Sequence, residues 1–301
     1  MSAHLLGVDL GGTKIHAAIA SLEGAVLAER LVPTNGDLVE TLAQLEAELL
    51  AEVGGDRVLV SGLGGAGVPT PEGFELAPNL DLGDADAPPF VSRLESRLGH
   101  AVVCENDVNV AALGELYHGL GREHDSFALV ASGTGVGMGL VIDGALVRGA
   151  RGAAGEIGYL PLGADPFDPG NQVSGPFEEM VSGASLAAAY RGRTGLELSP
   201  REIFARIGED EDAARTVTEH ARWLALGISA VRAVVDPAAV VLTGGIGSRA
   251  ELLPLVTEHL HALGAGDLPV STSVLGSRAG VLGALHLARE AALAAREEME
   301  R

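Results

Sequence analysis

The pattern that most constrains the fold is a strand, a glycine-rich loop and a second strand close to the start of the chain. The apolar runs "HLLGVDL" and "IHAAIASL" flank the loop residues "GGTK". Because strand character resumes directly after the glycines, the loop is predicted to join two strands in a hairpin. A Walker A loop has four residues between its glycine and Gly-Lys-Ser/Thr and leads into a helix, so this pattern excludes that loop.

The same arrangement returns in the second half of the chain. Residues 126–149, "SFALVASGTGVGMGLVIDGALVRG", read as a strand, a glycine turn with a threonine, a strand, a turn at Asp143-Gly144 and a third strand. Residues 239–248, "AVVLTGGIGS", read as a strand that runs into a third glycine turn. Two halves with similar hairpins predict a duplicated domain that faces itself across a cleft.

Helices are predicted between these strands. Asp37 can cap a helix that is ended by Gly54, and a long helix is predicted over residues 212–235, before Pro237. After the Asp37 helix, "RVLVSGLGG" reads as a strand, followed by a loop rich in Pro and Asp at 77–89 and a short helix. The segment "AVVCEND" at 101–107 reads as a strand that ends in polar residues, and a helix is predicted directly after it. An Ala-rich helix is predicted for the final segment. Alternating strands and helices predict mixed or parallel sheets covered by helices.

Charge and composition limit the classes of partner. The 301 residues, 47% of them hydrophobic, suffice for a large core, and length suggests about two domains. A formal charge of -21 argues against a surface for nucleic acid or an anionic membrane, so a small-molecule partner is expected. A single cysteine, Cys104, fits a reducing compartment, and neither a signal peptide nor a membrane-spanning run is evident, so a cytoplasmic location is expected.

The glycine clusters predict phosphate binding when they are considered together. One Gly-x-Gly in a chain with 42 glycines is typical of a bulge or tight turn. Three clusters at strand ends favour phosphate, because glycine lets backbone amides approach its oxygens, while Thr13 and Thr134 add hydroxyls and Lys14 adds a positive charge. Asp9 beside such a loop repels phosphate unless it holds magnesium or magnesium-bound water, which predicts a magnesium-bound nucleotide. The alternative is that Asp9 stabilises the turn as an Asx residue.

Seven segments resemble, in order, the landmarks of the ROK family of repressors and sugar kinases. They are "GVDLGGTKI", "APNLDL", "CENDVNVAALGE", "SGTGVGMGLVIDG", "GAAGEIG", "VVLTGGIGS" and "SVLGSRAGVLGALHLA". The resemblance implies a two-lobed α/β fold of the actin-like, ribonuclease-H type, with mixed sheets flanked by helices, ATP and sugar in the cleft between lobes, and commonly a homodimer. It implies an N-terminal lobe at 1–109, completed by a helix at 281–301, and a C-terminal lobe at 110–280.

The resemblance also implies site residues, with Asp107 as the catalytic base. A carboxylate beside a primary hydroxyl can accept its proton, although the residues alone also allow Asp107 to be the N-cap of a helix beginning at Val108, and both roles can coexist. The implied sugar-binding residues are Gly67, Asn79, Asn106, Asp107, Glu156, Tyr159 and Glu178. The implied ATP-binding residues are Asp9, Gly11, Gly12, Thr13, Lys14, Gly133, Thr134, Gly135, Gly244 and Gly245, with Asp9 also on Mg²⁺.

The sequence departs from the family where many members bind structural zinc through a histidine and three cysteines. Tyr159 stands at the histidine position, and "DPFDPGNQVSGPFEE" has no cysteine. A closed zinc site takes about four nitrogen or sulfur ligands, so no structural zinc is expected. Tyr159 can donate to sugar, restrict the pocket by its ring, or pack where the metal would lie. Glucose specificity is therefore open.

The expected function is an ATP-dependent hexose kinase, with the 6-hydroxyl of glucose as the leading acceptor. Mannose, fructose and an N-acetylhexosamine are the alternatives, and polyphosphate in place of ATP is left open. A catalytically silent sugar sensor is the alternative from another class, because the sugar-pocket positions are altered. A family repressor is not expected, since the first phosphate strand starts within a few residues of Met1 and the net charge is negative.

Overall fold

The computed structural model describes residues 2–70, 73–76 and 88–299, which form two compact units. Unit 1 comprises Met1–Arg122, Arg148–Ala153 and Ser277–Arg301, and unit 2 comprises Glu123–Val147 and Ala154–Gly276. Unit 1 is therefore discontinuous in sequence, and its last segment returns after unit 2. The predicted lobe boundaries at 109 and 280 stay a prediction.

Unit 1 is built on a five-stranded mixed sheet. Its elements before the chain enters unit 2 are β1 (Ala3–Leu10), β2 (Lys14–Ser21), β3 (Val26–Pro33), α1 (Leu38–Val53), β4 (Arg57–Gly65), β5 (Gly67–Thr70), β6 (Gly73–Leu76), α2 (Phe90–Leu98), β7 (Ala101–Asn106), α3 (Asp107–His118) and a 3₁₀ turn, Leu120–Arg122. The strand order is β3-β2-β1-β4-β7, antiparallel through β1 and parallel from β1 to β7. β5 and β6 form a separate two-stranded sheet.

Unit 2 repeats this arrangement. Its elements are β8 (Phe127–Ser132), β9 (Val136–Ile142), β10 (Ala145–Leu146), two 3₁₀ turns (Ile157–Tyr159 and Pro169–Gln172), α4 (Glu178–Val181), α5 (Gly183–Thr194), α6 (Pro200–Arg206), α7 (Glu211–Val235), β11 (Ala239–Thr243), α8 (Gly244–Gly247), α9 (Leu252–Ala262) and β12 (Val270–Thr272). The order β10-β9-β8-β11-β12 has the same strand directions as the first sheet. The predicted fold class, α/β with two mixed sheets flanked by helices, is confirmed.

The chain returns to unit 1 through a 3₁₀ turn, Gly276–Arg278, and the helix α10 (Ala279–Met299). Alternate residues of β1 face opposite sides of the sheet, as strand geometry requires. Leu6, Val8 and Leu10 join the apolar cluster beneath α1, whereas Gly7 faces α10. In β4, a β-carbon on Gly62 would lie 1.9 Å from the carbonyl oxygen of Ala284, so this approach of helix to strand needs glycine.

Several predicted boundaries are confirmed. The Asp37 side chain accepts from the Val39 amide at 2.9 Å, and Gly54 ends α1 in the left-handed region at φ 63°. The turn after β9 has positive φ at both Asp143 and Gly144, the geometry of a two-residue hairpin. The long helix α7 begins at Glu211, one residue before the predicted start, and ends at Val235.

One expectation needs correction. β7 ends at Asn106 rather than residue 107, and Asp107 is the first residue of α3, so the predicted N-cap role of Asp107 is wrong and Asn106 is the cap. The amide side chain of Asn106 prevails because its oxygen reaches two backbone amides of the first turn. The predicted glycine turn after β11 is found in place and consists of one turn of helix, α8. None of the described helices combines the length and apolar character that crossing a bilayer requires.

Candidate active site

The first glycine loop, Gly11–Thr13, connects β1 to β2, and its conformation is fixed partly by hydrogen bonds from a residue outside the hairpin. The Gly11 amide donates to the Lys14 carbonyl at 3.0 Å. Thr34, just after β3, donates its amide to the Thr13 carbonyl at 3.1 Å and its hydroxyl to the Gly11 carbonyl at 2.6 Å. Gly12, Thr13 and Lys14 are exposed. The loop therefore has a fixed backbone and an open surface, as an anion-binding loop requires.

Asp9 is a half-buried carboxylate one residue before the end of β1. Burial and the nearby charge of Asp107 raise its pKa to about 7, and Lys14 acts in the opposite direction. Within the described chain its carboxylate accepts no hydrogen bond, so the alternative of an Asx turn is wrong. A carboxylate without a donor, beside a second carboxylate and a loop suited to phosphate, fits the oxygen ligand that Mg²⁺ prefers.

Asn106 and Asp107 lie where β7 passes into α3. Asn106 Oδ1 accepts from the amides of Val108 at 2.9 Å and Asn109 at 3.3 Å, while Nδ2 donates to the Gly67 carbonyl at 3.3 Å. The structure thus brings Gly67, Asn106 and Asp107, three of the predicted sugar-binding residues, to one end of the sheet of unit 1.

Asp107 has the environment of a carboxylate that can act as a base. Burial raises its pKa, and the amide of Val108, which donates to Oδ1 at 2.9 Å, lowers it in part. A raised pKa lies closer to neutral pH, and a general base transfers protons best when its pKa is near the pH at which it works. The head of α3 therefore offers a positioned proton acceptor next to Asp9.

An ion pair between a buried carboxylate and an exposed guanidinium also supports this helix end. Glu105 is 2% exposed, and its carboxylate accepts from Arg148 Nε, from Asn109 Nδ2 at 3.0 Å and from the Asn106 amide at 3.0 Å. Arg148 belongs to the short segment Arg148–Ala153 that returns to unit 1. The pair fixes the backbone just before Asp107.

The second glycine loop, Gly133–Gly135, joins β8 to β9 in unit 2. The Gly133 amide donates to the Gly135 carbonyl at 2.9 Å, and the Gly133 carbonyl accepts from the Gly183 amide at 2.8 Å. Glu178 Oε2 accepts from the amide of Val136 at 2.8 Å. The start of α5 and the acidic side chain of α4 thereby set the loop's conformation.

The turn at Gly244-Gly245 packs against this loop. A β-carbon on Gly244, at φ 88°, would lie 2.4 Å from the Ser132 carbonyl oxygen, so a side chain is excluded there. The two turns border a cavity of about 550 Å³, whose walls include Gly183, Phe204 and Arg249. The Arg249 guanidinium lies 5.3 Å from the centroid of the Phe204 ring. The predicted phosphate and adenosine residues of unit 2 are thus adjacent.

The remaining predicted sugar-binding residues of unit 2 lie near the turn Ile157–Tyr159. Glu156 precedes this turn and is exposed. Tyr159 is 53% exposed, and its hydroxyl donates to the Val173 carbonyl at 3.3 Å. This hydrogen bond connects the turn Ile157–Tyr159 to the segment that corresponds to the cysteine-rich segment of many ROK proteins. Burial raises the pKa of Glu178. Asn79 lies outside the described residues.

The described ranges contain no group of three or more His, Cys, Asp or Glu side chains placed to hold a metal ion. The absence of structural zinc stays a prediction.

Sequence reasoning missed the residues that support the site from a distance. Thr34 lies 23 residues from Gly11, and Arg148 lies 43 residues from Glu105. Neither residue belongs to a recognisable sequence motif. An arginine in a loop or a threonine after a strand is ordinarily exposed to solvent, so the sequence gives no reason to single it out. A charge at position 105 inside an apolar strand was the one available signal, since a buried carboxylate needs a partner.

Comparisons with known proteins agree with these features. The sequence profile described as the ROK family matches residues 5–291. A glucokinase of Streptomyces coelicolor is 30% identical over 95% of this chain and 97% of its own length. An N-acetylmannosamine kinase of Escherichia fergusonii is 32% identical over 94% of this chain and 98% of its length. The crystal structure of a ROK family glucokinase from Streptomyces griseus in complex with glucose and AMPPNP is 29% identical, with a TM-score of 0.74, over 95% of this chain and 99% of that one.

Proposed function

Since this chain belongs to the ROK family, we propose that it is an ATP-dependent sugar kinase that transfers the γ-phosphoryl group to a hexose hydroxyl. The observation that carries the proposal is Asp107, a half-buried carboxylate at the head of α3 with a raised pKa and Asp9 nearby. In the proposed reaction Asp107 accepts the proton of the sugar hydroxyl, the hydroxyl oxygen attacks the γ-phosphorus, and ADP leaves with the electrons of the broken P–O bond.

The two glycine loops supply the binding of the phosphates in this proposal. The backbone amides of Gly12, Thr13, Thr134 and Gly135, the hydroxyls of Thr13 and Thr134 and the ammonium of Lys14 would hold the phosphate oxygens, while the amides of Gly11 and Gly133 close the loops by donating to Lys14 and Gly135. Asp9 would hold Mg²⁺, directly or through water, and the bound ion would neutralise charge on the phosphoryl oxygens. Most of the rate enhancement then comes from positioning and electrostatics.

We place the adenosine of ATP in the 550 Å³ cavity of unit 2. The cavity has the size of a small-molecule site, and it adjoins the turns at Gly133–Gly135 and Gly244-Gly245. Phe204 supplies apolar wall and Arg249 a guanidinium plane, which suits a flat heteroaromatic base.

The sugar is proposed as glucose, with phosphorylation at its 6-hydroxyl. The two curated relatives differ in named substrate, glucose for one and N-acetylmannosamine for the other, so mannose, fructose and N-acetylhexosamines are retained as alternatives. The proposed sugar contacts are Gly67, Asn79, Asn106, Asp107, Glu156, Tyr159 and Glu178. Because the Tyr159 hydroxyl already donates to Val173, its effect on the sugar is proposed to come from the ring.

The test is ATP turnover with Mg²⁺ against glucose, mannose, fructose, N-acetylglucosamine and N-acetylmannosamine, measured as ADP release. Asp107→Asn should lower kcat by several powers of ten and leave sugar affinity within a small factor. Asp125→Asn, which changes an exposed carboxylate outside the site, is the matched control and should retain full turnover. Unchanged kcat in Asp107→Asn would remove Asp107 from the role of base.

Two outcomes separate the proposal from a silent sugar sensor. Turnover with one sugar that the Asp107→Asn variant loses supports the kinase and identifies its substrate. Calorimetric binding of a sugar without turnover of any sugar would support the sensor instead. The homodimer and the cytoplasmic location stay predictions, and sedimentation analysis tests the first.

A further inference from the structure

One buried carboxylate, that of Glu105, connects the residues on both sides of Asp107. Glu105 is 2% exposed, and its Oε1 accepts from the Asn106 amide and from Asn109 Nδ2, each at 3.0 Å. Asn106 Oδ1 in turn accepts from the amides of Val108 and Asn109. The residue before Asp107 and the first turn of α3 after it are therefore held by groups that bond to this carboxylate. A displaced Glu105 side chain would displace Asp107 with them.

Arg148 holds the other oxygen of the Glu105 carboxylate. Its Nε donates to Glu105 Oε2, and among the described residues no other cationic side chain is paired with Glu105. Arg148 belongs to the segment Arg148–Ala153, so the pair lies within unit 1. The other donors to Glu105 are an amide and an asparagine side chain, which carry no charge. Within the described chain, Arg148 alone compensates this buried charge, and a buried carboxylate without compensation is driven towards water.

The two members of the pair differ in exposure. The side chain of Arg148 is 47% exposed and that of Glu105 is 3% exposed. The bond from Nε to Glu105 is the one hydrogen bond of Arg148 in the part of the chain that the structure describes. Removal of the guanidinium therefore changes the network at a single point, and a small cation dissolved in water can reach the place that it leaves.

From this network we propose that Arg148 is a positioning residue of phosphoryl transfer, which holds the Glu105 carboxylate against the head of α3 and thereby keeps Asp107 aligned with the acceptor hydroxyl. Arg148 itself contacts neither sugar nor nucleotide. This role rests on the proposed function, in which Asp107 is the base. It goes beyond stabilisation of the fold, because a misplacement of about 1 Å in a reacting group can lower a rate about a hundredfold.

The test is Arg148→Ala in the full chain, with ethylguanidinium as an added solute. Ethylguanidinium supplies the atoms that this substitution removes, and ethylurea, similar in shape but uncharged, is the control solute. Arg151→Ala removes another exposed arginine of the same segment and is the matched control variant. ADP release gives kcat and the KM values for sugar and ATP.

In Arg148→Ala, kcat should fall about tenfold or more while both KM values stay within about twofold, because the groups that bind the substrates are unchanged. Ethylguanidinium should recover part of the lost kcat, and ethylurea should recover none. Arg151→Ala should match the parent with and without either solute. An unchanged kcat in Arg148→Ala, or equal recovery by the two solutes, would overturn the positioning role.

Glu105→Gln separates a role through Glu105 from direct contact with a substrate. When Arg148→Ala is added to Glu105→Gln, kcat should change by less than about twofold, because the cation then has no carboxylate to hold. An equal fall of kcat in both backgrounds would mean that Arg148 acts on the substrate itself, and it would overturn the positioning role.

Amide hydrogen exchange distinguishes failure of this role from failure of the proposed function. If the parent turns over no sugar, the proposed kinase is removed, and the amides of Val108 and Asn109 then report on Arg148 alone. Faster exchange of both amides in Arg148→Ala than in the parent and Arg151→Ala, slowed again by ethylguanidinium, would leave the anchoring of the head of α3 intact. Equal exchange in the three proteins would overturn it.

Discussion

Gly280, the second residue of α10, lies directly against the carboxylate of Asp9. A β-carbon built on Gly280 would come within 2.5 Å of Asp9 Cγ and Oδ2. The last helix of the chain thus forms the wall behind the carboxylate proposed to hold Mg²⁺.

Gly280→Ala is expected to impair phosphoryl transfer while leaving the protein folded. The added methyl meets a side-chain end that can rotate away, and alanine favours helix by about 1 kcal/mol over glycine, so stability should change little. Asp9 must rotate, however, and kcat for ADP release should fall about tenfold or more because positioning dominates the reaction. Gly192→Ala, on α5 with open space around the new methyl, should keep full activity. Equal kcat in the two variants would contradict the placement of Asp9.

Thr34→Val should loosen the first glycine loop. The substitution keeps the side-chain shape and removes the hydroxyl that donates to the Gly11 carbonyl, so the unfolding free energy should fall by about 1 kcal/mol. The KM for ATP should rise several-fold, since the loop amides lose their fixed arrangement. Thr41→Val, which removes a hydroxyl bonded to the Asp37 carbonyl, is the matched control and should leave the KM unchanged. A KM equally insensitive to both changes would show that Thr34 does not hold the loop.

Arg148→Met should leave the carboxylate of Glu105 buried without its ion-pair partner. Since Arg148 is itself partly exposed, the expected loss is about 2 kcal/mol, below the range for a fully buried pair. Arg148→Lys should recover part of this loss, and Arg148→Met combined with Glu105→Gln should recover more, because the buried charge is then gone. Urea denaturation of the four proteins provides the measurement. Arg151→Met changes another exposed arginine of the same segment and is the control, and an equal loss there would exclude the ion pair as the cause.

The pH dependence of stability should report a buried carboxylate in α1. Burial raises the pKa of Glu46 to about 7, and its Oε2 lies 3.6 Å from His100 Nε2, which also contacts Ser61 Oγ at 2.7 Å. Between the ordinary pKa of 4.5 and about 7, the unfolded chain loses this proton before the folded protein does. The protonated Glu46 carboxyl therefore contributes its full share to the free energy of unfolding below pH 4.5, and this contribution is lost as the pH rises towards 7.

Glu46→Gln should remove this dependence. The stability of the variant relative to the parent should increase by about 1–2 kcal/mol between pH 4.5 and 7.5, after allowance for partial screening by solvent. Chemical denaturation at several pH values is the measurement. Glu48→Gln changes an exposed carboxylate on the same helix and should keep the parent's dependence of unfolding free energy on pH. If Glu46→Gln and Glu48→Gln showed the same pH dependence, Glu46 would not be protonated in the folded protein.

Features with local causes could be predicted from the sequence. The hairpin at Gly11–Thr13, the Asp37 cap and the Asp143-Gly144 turn depend on a few adjacent residues, and each is found where it was predicted. The boundary at Asn106 and Asp107 was misplaced by one residue because both side chains are good caps, and which one caps depends on the path of the strand.

Features with distant causes could not be predicted in this way. Thr34, Arg148 and Gly280 contact the site only after the sheet and α10 have formed. The adenosine cavity of unit 2 likewise depends on how α5 packs against α6, a result of side-chain volumes that periodicity does not encode.

The position of α10 in the chain has a consequence for synthesis on the ribosome. All five strands of the unit 1 sheet leave the exit tunnel long before the helix that covers the face formed by Gly7 and Gly62. Unit 2 is complete by residue 276 and can fold first, at translation rates of roughly 5–20 residues per second. During that interval the nascent sheet of unit 1 presents an uncovered apolar face, the kind of surface that makes folding intermediates prone to aggregate.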